Sequence, residues 1–99
     1  MHFVSVTYSL RSPFNPDNWV EFLRTIKHLG DWHHPIEPMW LLYTEYTAEE
    51  VYHKIDKAIN KCCEIYHITE FDPHNMHGLL LSASWAWLKT NMDKNDGKT

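Results

Sequence analysis

The sequence has few of the residues that mark fibrous, disulfide-rich or membrane-spanning proteins. Of its 99 residues, three are glycine, five are proline and two are cysteine. This composition excludes collagen-like and low-complexity chains. The two cysteines, Cys62 and Cys63, are adjacent, so a bond between them would close a strained ring and no disulfide framework is expected.

Long apolar runs and excess positive charge are also missing. No run approaches the roughly 18 apolar residues of a membrane-spanning helix, and no signal peptide is recognisable, so we expect a cytosolic protein. Nine Lys and Arg against thirteen Asp and Glu give a net charge of −4, which argues against tight binding to duplex nucleic acid. The length predicts one domain over residues 1–92, followed by a disordered polar tail over residues 93–99.

Local patterns in the first half predict strand, helix, strand, strand. Apolar and polar residues alternate from His2 to Leu10, as in a half-buried strand. Asn15 is a predicted N-cap for a first amphipathic helix, which we expect Gly30 to end as a left-handed C-terminal residue. The proline-bearing segment 31–38 predicts an extended edge, and the aromatic-rich segment 39–46 predicts a central strand.

The second half begins with a capping box formed by Thr47 and Glu50, which predicts a second helix. Its expected core-facing stripe recurs at helical spacing and comprises Val51, Ile55, Ala58, Ile59 and Cys62. Residues 64–71 predict a further strand, residues 79–81 a short strand, and Ser82 the cap of a final helix.

This order of elements predicts an α+β protein with a ferredoxin-like βαββαβ fold. Two helices would cover one face of an antiparallel sheet, and a short C-terminal helix would be appended. The other sheet face would then be bare. Because a second copy is the simplest cover for such a face, we expect a homodimer.

Several segments carry a resemblance to a known group, in the order and spacing Val6–Leu10, Ile26–His34, Met39–Thr44, Thr47–Val51 and Ala86–Lys89. Over roughly residues 3–90 the chain resembles the small bacterial and phage proteins known as SinR-like. That group is similar in fold to the small CRISPR-associated adaptation protein and to VapD-type toxin ribonucleases, which are ferredoxin-like homodimers. The resemblance therefore implies the same fold, a dimer and a setting in phage defence.

The resemblance also implies where a nuclease would hold its metal. In those ribonucleases an aspartate directly after the first-strand tyrosine lies near the dimer axis and is thought to bind a divalent ion. Here Tyr8 is followed by Ser9, and a serine hydroxyl is a poor metal ligand beside a carboxylate. We therefore expect no catalytic residues, no metal and no cofactor.

Two histidines and two carboxylates in one short segment are a second candidate for a metal site. His33 and His34 lie close to Asp31 and Glu37, which are suitable ligand types for zinc. However, adjacent residues of an extended segment point to opposite faces, so we expect one histidine to pack on a tryptophan and the other to be solvated. His74 and His77 have ligand-like spacing but lack further ligands.

Nucleophilic chemistry has weak support in the sequence. Cys62 and Cys63 fall near the end of the second helix, away from the helix N-terminus that lowers a thiol pKa, so we expect a buried Cys62 and a partly exposed Cys63. Ser9 and Ser12 lack the G-x-S-x-G turn that exposes a nucleophile.

The sequence thus predicts a non-catalytic, homodimeric binding protein of a prokaryote or its phage, in defence or counter-defence. Besides itself, its expected partner is a host protein or a nucleotide, with no membrane involved. The candidate binding residues are Tyr8, Ser9, Trp32, His33, His34 and Trp40. Two alternatives stay open: a metal-dependent endoribonuclease, and a small-nucleotide-binding protein that stacks bases on its aromatic residues.

Overall fold

A computed structural model describes residues 1–76, 78 and 82–97. The elements in chain order are β1 (His2–Leu10), α1 (Pro16–Lys27), β2 (Asp31–Ile36), β3 (Met39–Thr44), α2 (Ala48–Cys62), β4 (Cys63–Glu70), a 3-10 turn (Pro73–Asn75) and α3 (Ser82–Asn95). The predicted α+β class is therefore confirmed. The short strand predicted at 79–81 lies outside the described residues.

The four strands form one antiparallel sheet in the order β2-β3-β1-β4. In the register of this sheet, Val6 of β1 pairs with Trp40 on β3 and with Ile68 on β4. The predicted edge and central positions of β2 and β3 are confirmed. The edge strand β2 contains Pro35, which has no N–H to donate, and its pairing with β3 shifts register after His33.

One face of the sheet carries the hydrophobic core. Val4 and Val6 of β1 point to this face and are fully buried. Phe22 of α1 and Ile55 and Ile59 of α2 are also fully buried in the same cluster. Each such side chain contributes roughly 1.5–3 kcal/mol relative to an exposed one, so this layer is the main source of stability.

Local side-chain bonds start both core helices where the sequence predicts them. The Asn15 side chain accepts hydrogen bonds from the N–H groups of Asp17 and Asn18 at the start of α1. In the capping box of α2, the Glu50 N–H donates to Thr47 Oγ1 at 3.2 Å. The Thr47 N–H donates in return to Glu50 Oε1 at 3.0 Å. Each cap satisfies backbone donors that have no partner within the helix.

The prediction of a bare second sheet face and a short C-terminal helix is wrong. α3 has 14 residues and packs across part of that face. The Trp87 ring stacks on His33 with centroids 5.7 Å apart, and it meets Phe3 edge-on at 6.4 Å. Ser84 Oγ lies 2.7 Å from His33 Nε2. The helix also continues to Asn95, so residues 93–95, which were predicted to belong to a disordered tail, are helical.

Gly30 does not end α1 as predicted. The helix ends at Lys27, and Gly30 lies at the entrance to β2, where the backbone of β3 passes very close. A Cβ atom on Gly30 would lie 2.5 Å from the Tyr43 carbonyl oxygen and 3.1 Å from Thr44 Cα. A side chain is therefore excluded here by contact with the neighbouring strand.

Among the described residues, no helix combines the length and the apolar character needed to cross a membrane.

Gly30→Ala should lower the free energy of unfolding by about 1–3 kcal/mol, because the added methyl group overpacks against the β3 backbone. Gly78→Ala is the matched control: Gly78 has nearly the same φ, +158° against +157°, but no described atom lies within 4 Å of its Cβ position. Urea denaturation of both variants measures the difference. Equal destabilisation would contradict the close approach.

Candidate functional site

The six candidate binding residues divide between the two faces of the sheet. Tyr8, Trp32, His34 and Trp40 lie on the helix-covered face, at the end where the chain turns from β2 into β3. The remaining two, Ser9 and His33, point to the opposite face. The division follows from the alternation of side chains along a strand, and it separates the adjacent histidines as predicted.

A chain of hydrogen bonds joins three of these residues, Tyr8, His34 and Trp40, through Glu37. The Trp40 Nε1–H donates to the Tyr8 hydroxyl at 2.9 Å, and the Tyr8 O–H donates to Glu37 Oε2 at 3.0 Å. His34 Nε2 lies 2.7 Å from Glu37 Oε1, on the other side of the carboxylate. Burial, together with the neighbouring carboxylate, raises the pKa of Tyr8, so its phenol stays protonated. Tyr8 is thus held as a hydrogen-bond donor.

Aromatic and cationic contacts extend this cluster to the surface. The Trp32 and Trp40 rings lie 5.3 Å apart, and the His34 ring meets Trp40 edge-on at 4.2 Å. The Lys27 ammonium lies 4.7 Å from the Trp32 ring centre. Trp40 is buried, whereas Trp32 is 40% exposed. Among the aromatic rings of the cluster, Trp32 is therefore the most accessible to a partner.

Two residues of the cluster were not among the predicted binding residues. The sequence indicates Glu37 only as a candidate metal ligand, although its spacing of three residues from His34 also predicts a contact between the two side chains. Lys27 comes from the last turn of α1, and no local pattern in the sequence links it to Trp32. His34 Nδ1 is buried and has no hydrogen-bond partner among the described residues.

His33 and Ser9 lie apart from the cluster and from each other. The expectation that one histidine packs on a tryptophan is confirmed for His34, but His33 is not solvated. It lies beneath α3, against Trp87 and Ser84, where burial lowers its pKa and keeps the ring neutral. Ser9 is exposed near the end of β1, opposite Ile65 on β4.

The adjacent thiols lie at the junction of α2 and β4. Both are free and buried, and Cys63 is the deeper of the two, which corrects the prediction that it is partly exposed. Burial raises the pKa of Cys63 to about 12 and also raises the pKa of Cys62. Because the thiolate is the reactive form, this environment disfavours nucleophilic chemistry.

Metal-ligating side chains are dispersed in the part of the chain that the structure describes. Within it, no three His, Cys, Asp or Glu residues are grouped so that they could hold an ion. His33 and His34 are on opposite faces, so they do not share a coordination sphere. His77, considered with His74 in the sequence, lies outside the described residues.

A comparison of the chain with protein-family models, with curated proteins and with solved structures finds no match. The resemblance to SinR-like proteins therefore stays a prediction, and the functional argument depends on the geometry described above.

The hydrogen bond between Tyr8 and Glu37 should be detectable as a coupling energy. In a double-mutant cycle with Tyr8→Phe and Glu37→Ala, the two changes should couple by about 1 kcal/mol, because either one removes the same charge-assisted bond. Urea denaturation supplies the four stabilities. As a control, Tyr8→Phe should be additive with Glu49→Ala, which alters an exposed carboxylate on α2. Additivity in both cycles would refute the bond.

Proposed function

We propose that the protein is a non-catalytic, homodimeric binding protein of the cytosol of a prokaryote or its phage, acting in defence or counter-defence. We further propose that its fold is the ferredoxin-like one. The alternation of strand, helix, strand, strand, helix and strand supports this, as does the place of β1 between β3 and β4. The biological setting derives from the resemblance alone.

The observation that carries the dimer is an exposed apolar side chain on the second sheet face. α3 contacts β2 through His33 and Asp31, β3 through Tyr43 and the start of β1 through Phe3. Four residues farther along β1 and on the paired part of β4 form a surface that we call the open half-face: Thr7, Ser9, Ile65 and His67. Ile65, the one large apolar side chain of this surface, is 71% exposed. A branched apolar residue displayed on a sheet face is stabilised by a covering surface, and a second copy related by a two-fold axis supplies one.

Trp32 is the proposed contact for a further partner, a host protein or a nucleotide. Its ring is exposed, and the Lys27 ammonium lies beside it. Exposed tryptophan rings supply large contact areas in protein interfaces, and a ring next to a cation also suits a base with its phosphate. Tyr8 and Trp40 are buried, so in this proposal they hold Trp32 in place and do not touch the partner.

The environments of two groups, the Glu37 carboxylate and the Ser9 hydroxyl, support the proposal that the protein is not a catalyst. The Glu37 carboxylate is bound by both Tyr8 and His34, so it is not a free base. On the open half-face, Ser9 occupies the position at which the similar ribonucleases have an aspartate, so this position carries a hydroxyl group in place of a carboxylate. Both arrangements suit binding better than hydrolysis.

The protein should have a mass of twice 11.8 kDa in solution, and Ile65→Asp should convert it to a monomer because a charge would be buried in the contact. Size-exclusion chromatography with light scattering measures both masses. Val20→Asp is the matched control, since Val20 is a 50% exposed apolar residue on α1. A wild-type mass of 11.8 kDa at micromolar concentration, or a dimer of Ile65→Asp, would refute this interface.

The wild-type protein should not cleave RNA in magnesium or manganese, because Ser9 lacks the carboxylate that would hold the ion. A gel assay with labelled RNA, with and without EDTA, checks this. The Ser9→Asp variant introduces a carboxylate at this position and shows whether the rest of such a site is present. Cleavage by the wild type that EDTA abolishes would replace the binding proposal with the ribonuclease alternative.

A further inference from the structure

The outer edge of β4 has backbone groups that can pair with a further strand. β4 pairs with β1 on one side, and no described strand pairs with it on the other. The Phe71 N–H donates to the Phe3 carbonyl oxygen at 2.9 Å, just beyond the end of β4. Because hydrogen-bonded pairs alternate along an antiparallel ladder, the N–H and C=O groups of Tyr66 and Ile68 then point outward, away from β1.

A groove of about 300 Å³ lies beside this edge, between β4 and the first turns of α2. It is lined by Ala48, Glu49, Tyr52, Tyr66, His67 and Ile68. The Tyr52 and Tyr66 rings stack with centroids 6.3 Å apart, and Tyr52 is 38% exposed. Tyr66 and Ile68 pack against the rim of the core and are only partly buried. The side chains of an added strand would cover these apolar surfaces.

Three carboxylates lie along this edge. Glu64 is exposed on β4 itself. On α2, Glu49 and Asp56 are three and four residues from Tyr52, so they lie on the same side of the helix. The negative charge of Asp56 raises the pKa of the Tyr52 phenol, which places this carboxylate close to the ring. The groove is therefore bordered by negative charge.

The lysines of α2 lie away from this edge. They recur at spacings of three and four residues, at Lys54, Lys57 and Lys61. Lys61 Nζ lies 3.4 Å from Glu21 Oε2 on α1, so this side of α2 faces α1. Arg11 does lie at one end of the edge, where its Nε–H donates to the Asn60 carbonyl oxygen at 2.9 Å. One arginine thus stands against three carboxylates.

The other basic groups near the edge are histidines and the N-terminus. His53 Nε2 lies 3.9 Å from Glu49 Oε1, and His67 belongs to β4. An ordinary histidine is largely uncharged at about pH 8. At the far end of β4, carboxylates also outnumber the one N-terminal ammonium in a small cavity whose titratable residues are Met1, His2, Glu70, Asp72, His74 and Asp96. At that pH the whole edge is therefore negative.

A second copy of the chain is a poor occupant of this edge. Residues on the same face lie opposite each other when two strands pair around a two-fold axis. The antiparallel register that uses most of β4 therefore places Tyr66 opposite Ile68, and Glu64 of one copy opposite Glu70 of the other. Like charges directly opposite each other are destabilising, and this contact would occur twice.

We propose that the outer edge of β4 binds an extended basic segment of a partner protein as a further antiparallel strand, with apolar side chains over Tyr66 and Ile68 and a lysine or arginine near the carboxylates of Glu64 and α2. In this mode of binding, main-chain hydrogen bonds provide affinity and alternate side chains provide specificity. The surface goes beyond the proposed function, because it depends neither on Trp32 nor on the dimer.

The probe is the fluorescein-labelled peptide Thr-Val-Thr-Val-Thr-Lys with an amidated C-terminus, whose valines would lie opposite Ile68 and Tyr66 and whose lysine would lie opposite Glu64. Fluorescence anisotropy at about pH 8 and low salt should detect binding to the wild-type protein. Replacing the lysine with glutamate should weaken binding at least about fivefold, because the charge complementarity is lost. No binding at millimolar peptide, or equal binding of the two peptides, would overturn the proposal.

Backbone methylation separates strand addition from charge attraction alone. N-methylation of both valines should weaken binding by about tenfold or more, because it removes the donors that face β4. N-methylation of two threonines is the matched control and should have little effect, since their N–H groups point away from β4 in this register. If the two methylated peptides bind alike, the peptide does not add to the sheet and the proposal is wrong.

Variants and amide hydrogen exchange locate the site. Tyr52→Ala should weaken binding by about threefold or more, whereas Trp85→Ala, which removes an equally exposed ring on α3, should have no effect. The Tyr66 and Ile68 amides should exchange rapidly in the free protein and become protected by the peptide. If the two variants bind alike, binding is elsewhere. If these amides are already protected without peptide, a second copy occupies the edge, and either result refutes the assignment.

Discussion

The central place of β1 is the constraint on which the rest of the structure depends. This strand hydrogen-bonds to β3 along one side and to β4 along the other, while Val4 and Val6 are buried beneath α1 and α2. Because side chains alternate along a strand, β1 also contributes residues to the second face of the sheet. There Phe3 contacts Trp87, and Ser9 lies on the open half-face. A change in its register would therefore exchange the core and the proposed interface together.

The parts of the fold that could be predicted from the sequence are those encoded within a few residues. Asn15 and Thr47 cap helices whose first turns they contact directly, so their roles are visible in the sequence itself. The apolar stripe of α2 likewise repeats at helical spacing, and every predicted member of it is buried. The strand bounds were less exact, since β3 ends at Thr44, two residues earlier than expected.

The parts that could not be predicted depend on contacts between distant residues. α3 presents Ser84, Leu88 and Asn91 to its neighbours, and this mixed stripe has no clear apolar pattern. Its partners His33 and Asp31 lie 51 and 60 residues away in the chain. The contacts of the candidate site could not be predicted for the same reason. The alternation of β2 separates His33 from His34, but only the folded chain brings Lys27 to Trp32 and Glu37 to Tyr8.

The two edges of the sheet differ in a way that limits how copies can assemble. β2 has a proline within it and an irregular register, which leaves it poorly suited to pair with another strand. β4 is eight residues long and contains no proline. Among the described strands, β4 is therefore the edge better suited to pair with a strand from outside. Two copies joined there would leave only the two proline-bearing β2 edges outward, so edge pairing would end in a closed pair and would not grow into a fibre.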